Sequence, residues 1–338
     1  MDADLGTDLR AGLRAGLWDN LAMDTHSASP GLGARAFVAL QHVLPQHTIS
    51  RIVHAATRSQ TPWFKDLLID AFMRGFAPDL SDAVRTDPRS YESFNAFFTR
   101  ALQPGARPLP ADPAALACPV DGTVSELGDI DDDRLLQAKG RHYTLSALLA
   151  GREDWVARFR GGRFATIYLA PYNYHRIHMA WPGTLSDAWF VPGRLFSVNR
   201  TTADGVANLF ARNERVNLLF EDRNADAGVQ GSALHHALLL IGALNVGSME
   251  TVWHGEVAPR RPRRLERLPV APSAGGDAFA AARGEEIARF NMGSTVILLF
   301  PPGAVEWRAG LASGTTVRMG EVIGRRLGGG ATADAPAA

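Results

Sequence analysis

The sequence predicts an α+β protein, with a helical N-terminal segment followed by a mainly β catalytic domain. Three observations carry this. Between residues 32 and 100 apolar residues recur at helical spacing; Phe64, Leu68, Phe72 and Phe76 fall every four, and Trp63, Leu67 and Met73 broaden the stripe. From about residue 115 the pattern changes to short apolar runs cut by turn residues, such as Asp121-Gly122, Trp181-Pro182-Gly183, Val191-Pro192-Gly193 and Pro301-Pro302-Gly303. The balance is that of a globular chain: 338 residues, 46% hydrophobic and 21% charged, enough for one large or two modest cores.

Residues 1–31 read as a poorly ordered tail, with a short helix around Leu9–Leu21. Residues 32–110 read as an amphipathic helical region. Helices are expected over Ala34–Leu44 and Thr48–Arg58. A third starts at Thr61 as N-cap with Pro62 at the first helical position, where its missing N–H costs nothing. A fourth starts near Ser90 and carries Tyr91, Phe94, Phe97 and Phe98. The aromatic stripe of the third helix has two readings, packing on a core or lying in a lipid headgroup region with Lys65 and Arg74 at its flanks. Residues 111–327 read as the β-rich catalytic domain. Its strands are expected at Val120–Leu127, Phe164–Leu169, Leu185–Val191, Val216–Phe220, Ala237–Ile241, Thr251–His254, Val296–Phe300 and Thr316–Met319. Residues 258–283 read as a loop whose Arg260, Arg261, Arg263, Arg264 and Arg267 stay in solvent or touch anionic lipid. Residues 328–338 form a disordered Gly/Ala tail.

Charge and cysteine content narrow the function classes. Lys+Arg and Asp+Glu are 35 each, a net charge of zero, which argues against a nucleic-acid binder relying on bulk positive charge. Cys118 is the single cysteine, so no intrachain disulfide forms. No apolar run reaches the ~18 residues of a spanning helix, and residues 1–30 show no secretory signal. A membrane, if involved, is met at its surface.

The chemistry gathers in four places. Gly293-Ser294-Thr295 stands directly before the apolar run Val296–Phe300. A serine after a flexible glycine can attack the carbonyl before it if a base takes its proton. Asp121-Gly122 places a carboxylate at a strand edge. Tyr174-His175-Arg176-Ile177-His178 follows an expected strand, and the spacing of three predicts both rings on one side of a helical turn. No third and fourth ligand accompanies that pair, so no metal site is expected. Leu195-Phe196-Ser197-Val198-Asn199 and Asn208–Arg215 interleave polar and apolar residues, as a pocket wall does. Asp, His and Ser in this chain order do not identify a hydrolase, since triads recur in several orders, and no Gly-x-Ser-x-Gly elbow surrounds Ser294.

Together these segments resemble the pyruvoyl-dependent phosphatidylserine decarboxylases of bacteria, from about residue 40 to 325. The resemblance is carried by Phe94-Asn95-Ala96-Phe97-Phe98-Thr99-Arg100, Pro119–Gly122, Tyr174–His178, Leu195–Asn199, Asn208–Arg215 and Gly293-Ser294-Thr295. Met292 replaces the leucine common at the family junction, a volume-conserving change. Asn173 stands where an Asp is sometimes found.

The resemblance implies a precursor cut between Gly293 and Ser294 into a β chain (1–293) and an α chain (294–338). It implies a covalent pyruvoyl group made from Ser294, and decarboxylation of phosphatidylserine to phosphatidylethanolamine through a Schiff base. It maps self-cleavage onto Asp121, one histidine of the pair and Ser294; His178 is favoured for that role and His175 for proton transfer during turnover, and the sequence leaves the order of the two histidines open. It further implies a peripheral place on the cytoplasmic side of the cell membrane and a homodimer of processed heterodimers, with no nucleic-acid partner. Two other readings predict an intact chain: a Ser-His-Asp hydrolase acting on an external ester, and a non-catalytic β-rich membrane-binding module.

Overall fold

A computed structural model describes residues 32–138, 140–222, 234–244, 248–258, 263–271 and 276–327. The expected tails, residues 1–31 and 328–338, lie outside the described residues, as do Arg260 and Arg261. The chain opens with helices α1 (Leu32–Val43), α2 (Gln46–Thr57), α3 (Pro62–Phe76) and the short α4 (Phe94–Phe98). The first two match the expected helices to within two residues at each end. Pro62 does open α3, but Thr61 makes no side-chain cap bond. The fourth begins later than expected. Ser93, not Ser90, caps it by accepting the Ala96 N–H at 3.1 Å, and Tyr91 stays outside.

The stripe on α3 divides. Ile69 and Phe72 are buried and join Tyr91, Phe94, Phe97 and Phe98 in an aromatic cluster. Phe72 meets the rings of Phe94, Phe97 and Phe98 edge-on at 5.3–5.9 Å, the preferred geometry for ring quadrupoles. Trp63 and Leu67 point away and are exposed. The core reading holds for the inner edge of the stripe, and the outer edge faces solvent.

The β region is built from antiparallel ladders. Ten strands matter here: β1 (Gly122–Asp129), β2 (Arg163–Tyr168), β3 (Arg176–His178), β4 (Gly183–Val191), β5 (Arg215–Asp222), β6 (Leu234–Ile241), β7 (Met249–Thr251), β8 (Glu286–Phe290), β9 (Thr295–Phe300) and β10 (Thr316–Val317). The main sheet runs β4-β5-β6-β9-β2-β1-β10, with the short strands Glu266–Arg267 and Ala280–Ala281 both paired to β4. A second sheet runs β7-β8-β3, with Gly255–Glu256 on its outer edge. The expected strand Thr251–His254 is instead β7, ending at Thr251, and residues 252–254 form a turn. β9 lies between β6 and β2 and is buried along its whole length. That is why Val296–Phe300 reads as an unbroken apolar run rather than an alternating one.

Candidate active site

The site sits where one long ladder breaks. β2 pairs with β9, and the next strand on each side, β3 and β8, pair with each other. The same two lengths of chain therefore run together before and after a gap. The gap is bridged by residues 169–175 on one side and 291–294 on the other. It closes at both ends: Leu169 N–H donates to the Ser294 carbonyl at 2.8 Å, and Phe290 N–H to the His175 carbonyl at 3.0 Å. Gly293 and Ser294 stand opposite His175 for this reason.

Ser294 is fully buried, and its Oγ has no hydrogen-bond partner among the described residues. A Cβ on Gly293 would lie 3.2 Å from His175 Nε2 and 3.3 Å from the Leu169 carbonyl. The glycine is thus what lets the imidazole close on the junction. His175 donates from Nδ1 to the Asn173 carbonyl at 2.8 Å. A carbonyl only accepts, so Nδ1 carries the proton and Nε2 holds a lone pair. That Nε2 is buried and has no partner among the described residues. Burial, with the Arg100 charge adding to it, pushes the ring down to about 3, so it is neutral at physiological pH. Phe98 lies against its face with centroids 4.1 Å apart.

His178 is placed differently. The pair does not lie on a helical turn: Arg176–His178 is strand β3, with His175 just before it. In extended chain, residues three apart point to opposite faces. So the rings diverge, and only His175 meets Gly293. His178 Nδ1 donates to the Gly284 carbonyl at 2.8 Å, and Nε2 accepts from the Tyr174 hydroxyl at 2.9 Å. Burial lowers its pKa, while the Gly284 bond and the charges of Glu286 and Asp121 oppose that shift.

Asp121 makes no hydrogen bond to either histidine. Its carboxylate takes a bidentate pair from Arg107, at 3.1 and 2.6 Å, and the Met319 N–H at 2.8 Å. It stands near His178 through the backbone, since His178 N–H donates to the Pro119 carbonyl at 2.9 Å. Gly122 beside it is forced: a Cβ there would sit 2.4 Å from the Tyr168 carbonyl oxygen. The Asn173 side chain accepts the Ala170 N–H at 2.7 Å and turns the loop; the backbone carbonyl, not the side chain, holds His175. Of the stretches Leu195–Asn199 and Asn208–Arg215, the first gives Val198 to the lining of a cavity shared with Thr123, Glu126 and Tyr168. In the second, Asn213 and Arg215 bond backbone carbonyls in the interior.

Several residues at the site had no role in the sequence reading. Asn95 Nδ2 donates to the Asn291 carbonyl at 3.1 Å and fixes the chain just before the junction. Met292 packs against both the aromatic cluster and the β core. Arg100 and Phe98 flank His175. The signal was present in Phe94–Arg100, where polar Asn95 and Arg100 interrupt an aromatic run. Among the described residues no group of three or more His, Cys, Asp or Glu gathers as metal ligands do.

Comparison with known proteins decides the family. Residues 94–325 match the family model described as phosphatidylserine decarboxylase, and residues 36–77 match a model described as PSD. The chain belongs to the phosphatidylserine decarboxylase family. It is 48% identical over 290 residues to the phosphatidylserine decarboxylase proenzyme of Methylococcus capsulatus, covering 86% of this chain and 96% of that protein. The proenzyme of Alkalilimnicola ehrlichii is 51% identical over 261 residues, covering 77% and 86%. That of Ectopseudomonas mendocina is 45% identical over 290 residues, covering 86% and 98%. The matched region contains all four predicted site residues, Asp121, His175, His178 and Ser294, together with the family's Gly-Ser junction.

Proposed function

We propose that this chain cuts itself between Gly293 and Ser294 and then decarboxylates phosphatidylserine to phosphatidylethanolamine at a membrane surface. The observation that carries this is a sealed junction. In a chain of this family, Ser294 Oγ lies buried with no partner after a glycine that admits a neutral imidazole. An external-ester hydrolase leaves the chain whole, so the state of the purified chain separates it from this reading.

In self-cleavage a histidine takes the Ser294 proton and Oγ attacks the Gly293 carbonyl. The peptide C–N bond breaks as the ester forms, and the histidine passes the proton to the leaving amine. Elimination then moves the Ser294 α-proton to a base and breaks the Cβ–O bond, freeing the Gly293 carboxylate. Water replaces the nitrogen of the remaining enamine, ammonia leaves, and a pyruvoyl group caps the α chain. The residues fit such a group: it needs no side-chain ligand, and it inherits the buried place of Ser294 beside an open Nε2. The pyruvoyl carbonyl supplies the electron sink that no side chain offers.

Two considerations compete over which ring takes the Ser294 proton. Proximity favours His175. Basicity favours His178, because a base works best with a pKa near the working pH. Burial lowers both rings, His175 to about 3, but at His178 the Gly284 bond and the charges of Glu286 and Asp121 oppose the shift. To act, the His178 ring must leave Tyr174 and turn toward the junction. The proposal therefore gives cleavage to His178, with Asp121 nearby, and gives turnover to His175. A substrate carboxylate beside His175 raises its pKa, so the ring becomes a proton donor only when substrate is present.

The membrane part of the proposal rests on helices that are apolar on the wrong side. The buried residues of α2 are Gln46, Ser50 and Thr57. Gln46 and Gln41 accept the Leu195 and Ser197 N–H groups at 2.9 and 2.7 Å, docking α1 and α2 on the catalytic domain by polar contacts. The exposed residues include Leu40, Val43, Ile52, Trp63 and Leu67. An outward apolar face on docked helices fits a lipid surface. Among the described residues no helix is long and apolar enough to cross a membrane. A peripheral seat on the cytoplasmic side, and a dimer of processed chains, belong to this proposal. The test is Ser294→Ala: it leaves one chain and no CO₂ release, whereas wild type runs as two chains on a gel. A wild-type chain that stays whole yet decarboxylates contradicts it.

A further inference from the structure

A polar cavity of about 410 Å³ opens between the segment of residues 84–101 and strands β3 and β8. Four arginines line it, Arg85, Arg100, Arg176 and Arg289, with Glu92, Ser93, Asn95 and Thr99. Three of the arginines have a carboxylate partner in place. Arg85 faces Glu92 at 3.8 Å, Arg176 pairs with Glu286 at 2.8 Å, and Arg289 pairs with Glu250. Arg100 does not. It is 3% exposed, and its Nε and Nη1 have no hydrogen-bond partner among the described residues. Only Nη2 is used, donating to the Tyr172 carbonyl at 3.2 Å and the Asn173 carbonyl at 3.5 Å. Asp121 and Asp79 act on it through space without a hydrogen bond; a buried guanidinium whose N–H groups lack a partner is expensive, and a native site that keeps one has a place for an anion.

Arg100 also stands beside the reaction centre. The Asn173 carbonyl that accepts from its Nη2 is the one that holds His175 Nδ1. The cavity's free arginine is therefore one carbonyl away from the ring that faces Gly293.

We propose that Arg100 and its cavity bind a phosphodiester oxyanion, that of the substrate headgroup. This rests on the decarboxylase reading. The headgroup carries two anions, and the choice between them follows from the reaction. The carboxylate loses its charge as CO₂ departs, so a guanidinium bonded to it stabilises the substrate more than the transition state. The phosphodiester keeps its charge throughout and lies only a few bonds from the amine. A planar fork with free N–H groups suits two of its oxygens.

The test is calorimetric titration of the uncut Ser294→Ala chain with glycerophosphoethanolamine, which has the phosphodiester but no carboxylate. Free serine, with the carboxylate and no phosphate, and inorganic phosphate are titrated in parallel. Arg100→Lys is expected to weaken glycerophosphoethanolamine at least tenfold, and Arg100→Gln more, with melting curves reporting the fold. Arg100→Lys carries the comparison if Arg100→Gln does not fold. Serine binding, where measurable, is expected to be unchanged. In the self-cleaving chain Arg100→Lys is expected to raise KM for a short-chain phosphatidylserine tenfold or more at nearly constant kcat. No binding to the parent, an equal Kd in Arg100→Lys, or an equal loss for serine overturns the proposal. So does a fall in kcat at constant KM, which means that Arg100 acts through His175. Inorganic phosphate binding as tightly as the headgroup assigns the site to free phosphate and overturns the substrate assignment. A wild-type chain that neither cuts itself nor releases CO₂ defeats the decarboxylase reading separately, with the titration still legible.

Discussion

Gly293 and Ser294 were legible as a reactive pair because a glycine-serine junction before a buried strand is a short, local pattern. The geometry of the histidines was not. Their spacing fits a helical face on paper, and only the pairing of β3 with β8 shows that the chain is extended there. The consequence is a division of environment: His175 has an open Nε2, and His178 has both nitrogens engaged. The proposal predicts that His178→Ala stays whole on a gel, and that His175→Ala cuts itself at least in part but releases CO₂ at less than about 1% of wild type, since general acid–base groups contribute 10²–10⁴-fold. The opposite pattern exchanges the two roles and shows that proximity outweighs basicity. Arg100 was visible in the sequence only as the end of the Phe94–Arg100 segment; its burial, which singles it out, was not.

Among the elements, α3 is where sequence and structure part most usefully. Its period-four stripe is real, but a stripe does not say which of its edges meets protein. Packing against Phe94, Phe97 and Phe98 claims Phe72 and leaves Trp63 out, 70% exposed against 7% for Phe72. Phe98 in turn lies on His175, so the inner edge of α3 supports the site through α4. The two edges are expected to fail differently. Phe72→Ala removes a buried ring and should cost about 3–5 kcal/mol in urea unfolding. Trp63→Ser with Leu67→Ser should leave that stability within about 1 kcal/mol, since both side chains already face solvent. The double variant should co-sediment with anionic liposomes at least tenfold more weakly, at about 1.5–3 kcal/mol for each buried side chain. Liposome binding unchanged in the folded double variant removes α3 from the membrane contact.

For the whole molecule, the order of helices then strands was readable from the change of period near residue 115. The pairing of distant strands was not, since β9 pairs with β2 and β6 across long stretches of chain. Burial of histidines in this sheet has a consequence for acid stability. His236 lies between Phe220 and Phe300, with ring centroids 5.4 and 6.0 Å away, and neither nitrogen has a partner among the described residues. Burial pushes it, like His175, from 6.5 to about 3. A histidine whose folded pKa lies below its unfolded value binds its proton more readily when unfolded. Its contribution is present above pH 6.5 and is lost as pH falls from 6.5 toward 3. Each ring should subtract about 1.4 kcal/mol per pH unit inside that window. His236→Phe should make the fall in unfolding free energy between pH 6 and pH 5 shallower by about that amount; an unchanged slope means that the ring takes up its proton without unfolding.

The central claim is that this chain makes its own catalytic group from Ser294. The intact-mass spectrum of the purified wild-type protein tests it most directly. The account predicts two masses: residues 1–293 ending in a free carboxylate, and residues 294–338 lighter by one ammonia than a chain beginning with serine. A single mass for the uncut chain, or a small chain with the mass of an ordinary serine start, contradicts it.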